Sequence, residues 1–271
     1  MFNNKLFNLL KYKLVRVIES NPTLNIIIYN NIRYFKFLLP HEKDYLGMKK
    51  ICKNNVNKPI IDIGANLGIS SLGFRQMGFK NKIFIFEPNP EIFKKYLLPM
   101  KKKYKNVYLK NFALGSRYEK KDFFLPFYGK KSIHYFGSFD KNYIFKSIRI
   151  TFPKLINKIH FKTKKIEIFR FDKLKLNIKP HFIKIDVEGF DHFVIKGLKK
   201  TIDKYKPIIL IEYNVENFNK ISKMLKNYEK YIYNIEIDKL VKIKKSFFNK
   251  NIARVSKLNL LSSRNIYFVP K

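Results

Sequence analysis

The sequence predicts an α/β fold: a doubly wound, largely parallel sheet with helices on both faces and an N-terminal helical and strand extension. Three observations carry this. Strand-length apolar runs alternate with helix-length segments from Pro59 to Tyr213, the order that builds parallel sheets through right-handed crossovers. The runs end in acids, at Asp62, Glu87, Asp186 with Glu188, and Glu212, where open α/β sheets bind ligands. The 271 residues, 46% hydrophobic and 16% aromatic, are too apolar for a disordered chain and enough to bury a core.

In chain order, Met1 to Ile18 has apolar residues at helical spacing interrupted by Lys5, Lys11, Lys13 and Arg16. Ile26 to Tyr29 is a short apolar piece, and Tyr34 to Leu39 reads as a strand. Residues 1–55 are therefore set apart as an extension from a main domain over 56–271. Pro59 to Ile63 is a buried strand followed by a helix to about Gly78; Lys82 to Glu87 is the second strand and Pro90 to Tyr104 the second helix. Val107 to Ala113 is the third strand. The section from Gly115 to about Lys165 has no clean period and reads as a strand plus a long excursion, so residues 116–165 are set down as an irregular insertion. Strands then follow at Ile166 to Phe171, His181 to Val187, Pro207 to Tyr213, Tyr231 to Ile237 and Asn265 to Val269. Helices are predicted at Asp191 to Tyr205 and Glu216 to Tyr228.

Composition removes several classes. One cysteine, Cys52, excludes an intramolecular disulfide and a four-cysteine zinc cluster. No apolar run approaches the ~20 residues that span a bilayer, and the N-terminal stretch lacks a signal peptide's compact apolar segment and cleavage site. A cytoplasmic protein is expected, with the basic N-terminal segment either docked on its own domain or resting on anionic lipid at the inner membrane face. The formal net charge of +37 invites nucleic acid as a partner. Its lysines, however, are spread along the whole chain among Ile, Asn, Phe and Tyr, residues with A/T-rich codons.

A carboxylate at a buried strand end is costly unless it is bound to something. Asp62-Ile63-Gly64-Ala65-Asn66-Leu67-Gly68 joins a strand to a helix without the dinucleotide fingerprint or a phosphate loop. Its glycines permit a tight turn and close approach of backbone to a ligand, so the loop suits the amino-acid part of a zwitterion, with Asp62 taking the ammonium directly or through water and the backbone amides its carboxylate. Glu87, nineteen residues after Gly68, suits the two hydroxyls of an adenosine ribose, with Phe86 or a neighbour over the adenine; the alternative is a helix cap. Together the two motifs point to an adenosyl cofactor. In Phe182 to His192, period-two geometry puts Lys184, Asp186 and Glu188 on one side of a strand. Such groups suit general-base work on a hydroxyl; the alternative is a Lys184–Asp186 ion pair, with Asp191 capping the next helix.

These blocks, with Asn111-Phe112-Ala113-Leu114-Gly115 and Ile183-Lys184-Ile185-Asp186-Val187-Glu188-Gly189, resemble the FkbM-type S-adenosylmethionine-dependent methyltransferases over about Ile60 to Asn214. Gly137-Ser138 and Phe171-Asp172-Lys173-Leu174 match more weakly. The resemblance implies a seven-stranded class I methyltransferase (Rossmann-like) sheet whose last strand is antiparallel. It implies S-adenosylmethionine as methyl donor, held by Asp62, Gly64, Ala65, Asn66, Gly68, Glu87 and Pro88, with Asn111, Ala113 and Leu114 near the adenine. Asp186, Glu188 and Lys184 would face the transferred methyl. The acceptor it implies is a hydroxyl of a sugar, polysaccharide or other small molecule, with residues 116–165 on the acceptor side. An RNA methyltransferase or a basic RNA-binding module on the same fold is the alternative. No resident metal is expected, since few further oxygen ligands are evident around Asp186 and Glu188.

Overall fold

The computed structural model describes residues 21–31, 34, 42–52, 58–243 and 265–271. The basic stretch Met1 to Ile18 and, apart from Tyr34, the strand expected to Leu39 lie outside the described residues. The chain divides into two compact units, Met1–Phe35 with Asp122–Lys164 and Lys36–Lys121 with Lys165–Lys271.

The larger unit is built on a sheet of eight strands. Its parallel part comprises β1 (Ile60–Ile63), β2 (Ile83–Phe86) and β3 (Val107–Lys110), with β8 (Phe182–Ile185) and β9 (Ile208–Glu212). Three more strands, β10 (Tyr228–Asn234), β11 (Lys239–Lys242) and β12 (Asn265–Pro270), complete the order β11-β10-β12-β9-β8-β1-β2-β3. β12 runs antiparallel to both neighbours, β9 and β10, as the class I pattern requires. The expected count of seven is exceeded by β11, which folds back on β10 through a turn in which the Asn234 Oδ1 accepts from the amides of Glu236 and Ile237. Its sequence, Lys-Leu-Val-Lys, is too short and too charged to announce a strand.

Alternation sorts the side chains onto two layers. Ile61, Ile63, Ile183, Ile185, Ile209 and Ile211 pack with Val194, Ile202 and Leu225 of the helices on one face. Ile60, Phe182, Ile208 and Leu210 pack with Phe74, Leu97 and Met100 on the other. Both faces are thus covered, and the β1, β8 and β9 strands are apolar throughout except for Asp62 and Lys184, buried on the second face, and the terminal Glu212.

The predicted third strand breaks at Asn111. Val107–Lys110 stays in the large sheet, while β4 (Ala113–Leu114) pairs in parallel with Ile168 and Phe169 of β7 (Ile159–Phe169). The stretch without a clean period is regular: it holds β5 (Glu119–Tyr128), β6 (Lys131–Ser132), the helix Lys141–Thr151 and most of β7. Its period is hidden because long strands carry lysines on a solvated face. In the smaller unit Ile133, Ile144, Ile148 and Phe152 form a core with Ile26 of the helix Pro22–Asn31. There Phe124 and Ser138 exchange backbone hydrogen bonds, and a Cβ on Gly137 would sit 2.7 Å from the Phe123 ring. The Gly137-Ser138 pair is therefore explained by packing.

Candidate active site

Every element of the site lies at the carboxyl ends of β1, β2, β8 and β9, within the larger unit. β1 and β8 are paired so that Asp62 stands opposite Lys184. Asp62 is fully buried; its Oδ2 accepts from the hydroxyls of Ser70 and Ser71, each at 2.6 Å, and its Oδ1 lies 3.5 Å from the Lys184 Nζ. The buried Oδ1 has that ion pair but no hydrogen-bond partner. The carboxylate fixes the first turn of the helix Ile69–Gln76 to the end of β1. Ser70 and Ser71 carried no signal in the sequence.

Lys184 is 2% exposed. Besides Asp62 it reaches the Asp186 Oδ2 at 3.1 Å and donates to the Gly64 carbonyl at 3.3 Å. Burial pulls its pKa down, but the Asp186 and Asp62 carboxylates outweigh burial and the net shift is upward. A buried ammonium held this way cannot act as a base. The Lys184–Asp186 ion pair is formed, while the helix that begins at Asp191 has no side-chain cap.

The β1 loop turns at Gly64, φ +73°, whose amide donates to the Phe86 carbonyl at 2.9 Å. A Cβ here would lie 1.9 Å from the Asp186 carbonyl oxygen, so glycine is required by contact between two strand ends. Ala65 is buried behind it. Asn66 adopts φ +50° and its amide donates to the Glu87 Oε2 at 2.8 Å. At Gly68, φ +74°, an added Cβ would meet the Leu97 and Met100 side chains.

Glu87 is 5% exposed. Its Oε1 accepts from the Asn89 amide at 2.8 Å, while Asn89 itself caps the next turn by accepting from Glu91. Burial pushes the Glu87 carboxyl up to about 7 against the pull of the two amides. Each oxygen keeps a lone pair for a further donor. Asn111 braces this corner from the edge, its Nδ2 donating to the carbonyls of Glu87 and Pro88. Phe86 does not line the site; its ring is 1% exposed and packs on Phe112 and Phe171. Ala113 and Leu114 are likewise buried, in the β4 pairing and the core.

β8 ends at Ile185, so the period of a strand does not set the direction of Glu188. A turn does, with Glu188 at φ +49° and Gly189 at φ +90°. The Asn217 Nδ2 donates to the Gly189 carbonyl at 2.8 Å, and the Val187 amide donates to the Asp191 Oδ1 at 3.4 Å. Asp191 is buried, and burial together with the nearby Asp186 charge lifts its carboxyl to about 7. The result is that carboxylate oxygens of Asp186, Glu188 and Glu212 lie within 4.8 Å of one another. All three residues are half-buried, and among the described residues this is the group of acids able to hold a cation. Glu212 is the residue that sequence reasoning left out of the site; its position at the end of β9 was the available signal. His192 packs at a tilt against Phe193, and burial lowers its pKa. Asp172, in the weaker Phe-Asp-Lys-Leu match, accepts from the Lys200 and Thr201 amides and the Thr201 hydroxyl, a structural cap.

Residues 62–235 match the methyltransferase FkbM domain family. No curated protein matches the chain. Among solved structures, an FkbM methyltransferase from Methylobacillus flagellatus KT is 13% identical, with a TM-score of 0.50 over 92% of this chain and 54% of that one. The chain therefore spans about half the length of that structure. A putative caffeoyl-CoA O-methyltransferase from Staphylococcus aureus aligns over 97% of this chain and all of its own, at 10% identity and a TM-score of 0.41. An S-adenosylmethionine-dependent O-methyltransferase from Thermotoga maritima aligns over 85% and 65%, at 11% identity and a TM-score of 0.40.

Proposed function

Because the chain belongs to the FkbM methyltransferase family, we propose that it transfers a methyl group from S-adenosylmethionine to a hydroxyl of a sugar, polysaccharide or other small acceptor. The observation that carries this reading is the joining of two groups of acids by one loop. Gly64 packs against the Asp186 carbonyl while the amide of Asn66 holds Glu87, so a nucleoside carboxylate and a reacting carboxylate are set by the same few residues.

The donor set fits the cofactor in kind. Glu87, already held by two amides, would gain ribose hydroxyls as further donors, which would draw its raised pKa back down. The backbone of residues 64–68 would cradle the amino-acid part, and Asp62 would act from beneath by fixing that loop. When bound, S-adenosylmethionine supplies an electrophilic methyl on a sulfonium. The protein must then hold an acceptor oxygen in line with it at about 3 Å and remove its proton. Asp186 or Glu188 takes that proton, with Glu212 orienting the hydroxyl. Lys184 stays charged and keeps Asp186 aimed.

The test is calorimetry of the full chain with S-adenosylmethionine, followed by turnover of labelled cofactor against sugar and nucleotide-sugar acceptors. Asp186→Ala is expected to abolish turnover and leave cofactor affinity within about twofold, as the loss of a general base alone would. Absence of cofactor binding by the unaltered protein, or full turnover by the variant, overturns the assignment.

A further inference from the structure

The smaller unit carries a surface that the methyl-transfer site does not use. From Lys141 to Lys164 there are seven cations and no carboxylate. Within this stretch the helix Lys141–Thr151 turns Ile144 and Ile148 into the core, each 0% exposed. Ile150 stands two residues beyond Ile148, about 200° further around the helix, and is 78% exposed. It has the same helical face as Lys146, one turn earlier, and is flanked by exposed Arg149 and, past the helix end, exposed Lys154 and Lys158. The nearest preceding acid, Asp140, is engaged as the cap at the opposite end, accepting from the Asn142 and Tyr143 amides, about 15 Å away along the axis.

We propose that this segment, exposed Ile150 with the exposed cations Arg149, Lys154 and Lys158 beside and after it in the chain, docks on a bilayer surface rich in anionic phospholipid. An exposed aliphatic side chain among cations is the pattern of an interfacial helix: the cations meet headgroup phosphates and the aliphatic group enters the acyl boundary. The chemistry favours lipid over nucleic acid, because the platform on which bases stack is an aromatic ring, whereas the most exposed apolar group here is aliphatic. This contact is independent of the reading of the active site.

Co-sedimentation of the full chain with phosphatidylcholine vesicles, and with vesicles containing phosphatidylglycerol in equal part, tests it. The unaltered protein is expected to bind only the anionic vesicles. A cation near an anionic surface is worth about fivefold in affinity. Arg149→Glu with Lys154→Glu should therefore weaken binding at least about twentyfold, and Ile150→Asp about tenfold. Lys101→Glu with Lys102→Glu, exposed in the other unit, makes the same change in net charge and should weaken binding less than about threefold through diffuse charge alone. Unchanged melting temperatures establish that each variant is folded. Equal losses in the patch and control variants would overturn the proposal, leaving only the diffuse charge. So would patch variants that keep vesicle binding but lose affinity for an RNA oligonucleotide.

Discussion

Replacing Gly64 by alanine separates contact between two strand ends from backbone strain. The position has φ +73°, a conformation that costs an L residue about 1–2 kcal/mol. The added methyl would also meet the Asp186 carbonyl oxygen at 1.9 Å and the Val187 Cγ1 at 3.0 Å. The first of these is about 1.5 Å inside ordinary contact. Overpacking of this kind typically costs about 1–3 kcal/mol, so Gly64→Ala should destabilise the protein by about 2–5 kcal/mol. Gly78→Ala is the control: it has φ +94° and nothing within 4 Å of the added carbon, so only the backbone cost of about 1–2 kcal/mol remains. Urea unfolding followed by circular dichroism gives both values, and calorimetry with S-adenosylmethionine gives the effect on the site. Gly64→Ala should also lose most cofactor binding, because the loop that holds Glu87 must shift away from β8. Equal destabilisation by the two variants, with cofactor binding retained by both, would refute the argument that contact between these strand ends builds the site.

Three further outcomes are expected. Lys184→Met leaves Asp62 buried without its cation and should cost about 3–5 kcal/mol in urea unfolding; Lys184→Met with Asp62→Asn should recover most of that loss. Burial raises Glu87 from 4.5 to about 7 and Asp191 from 3.8 to about 7, so the folded protein binds these protons more tightly than the unfolded chain. Stability should therefore fall as pH rises from about 4 through 7, by about 3 kcal/mol for Glu87 alone. Melting temperature against pH reads this, and Asp191→Asn should flatten the profile; a profile already flat in the unaltered protein would contradict the raised values. Glu212→Gln should lower turnover about tenfold, less than the ~100-fold or more expected of a general base, with cofactor affinity unchanged by calorimetry.

The large sheet was legible because its strands are short apolar runs buried on both faces, and such runs have few other uses. Their terminal acids were legible because Asp62, Glu87, Asp186 and Glu212 break an otherwise apolar pattern. The elements that escaped were those without that contrast. β11 is two apolar residues between lysines, and β5 and the part of β7 before Ile166 carry a solvated lysine face that hides their alternation. Roles within the site were less legible than its membership. Asp62 and Lys184 look like ligand groups in sequence; the fold sets them side by side across β1 and β8 and leaves the Asp62 Oδ1 without a hydrogen bond. Glu188 looks like a strand residue, yet the strand stops at Ile185 and a left-handed turn directs it.

What the sequence determined by itself was the layered α/β architecture and the strand ends at which chemistry is placed, since hydrophobic periodicity and an isolated charge in an apolar run are local signals. The tertiary structure alone decided which carboxylates are brought together. Partner choice for a buried charge depends on neighbours distant in the chain: Ser70, Ser71 and Lys184 close around Asp62, while β9 brings Glu212 to Asp186 and Glu188.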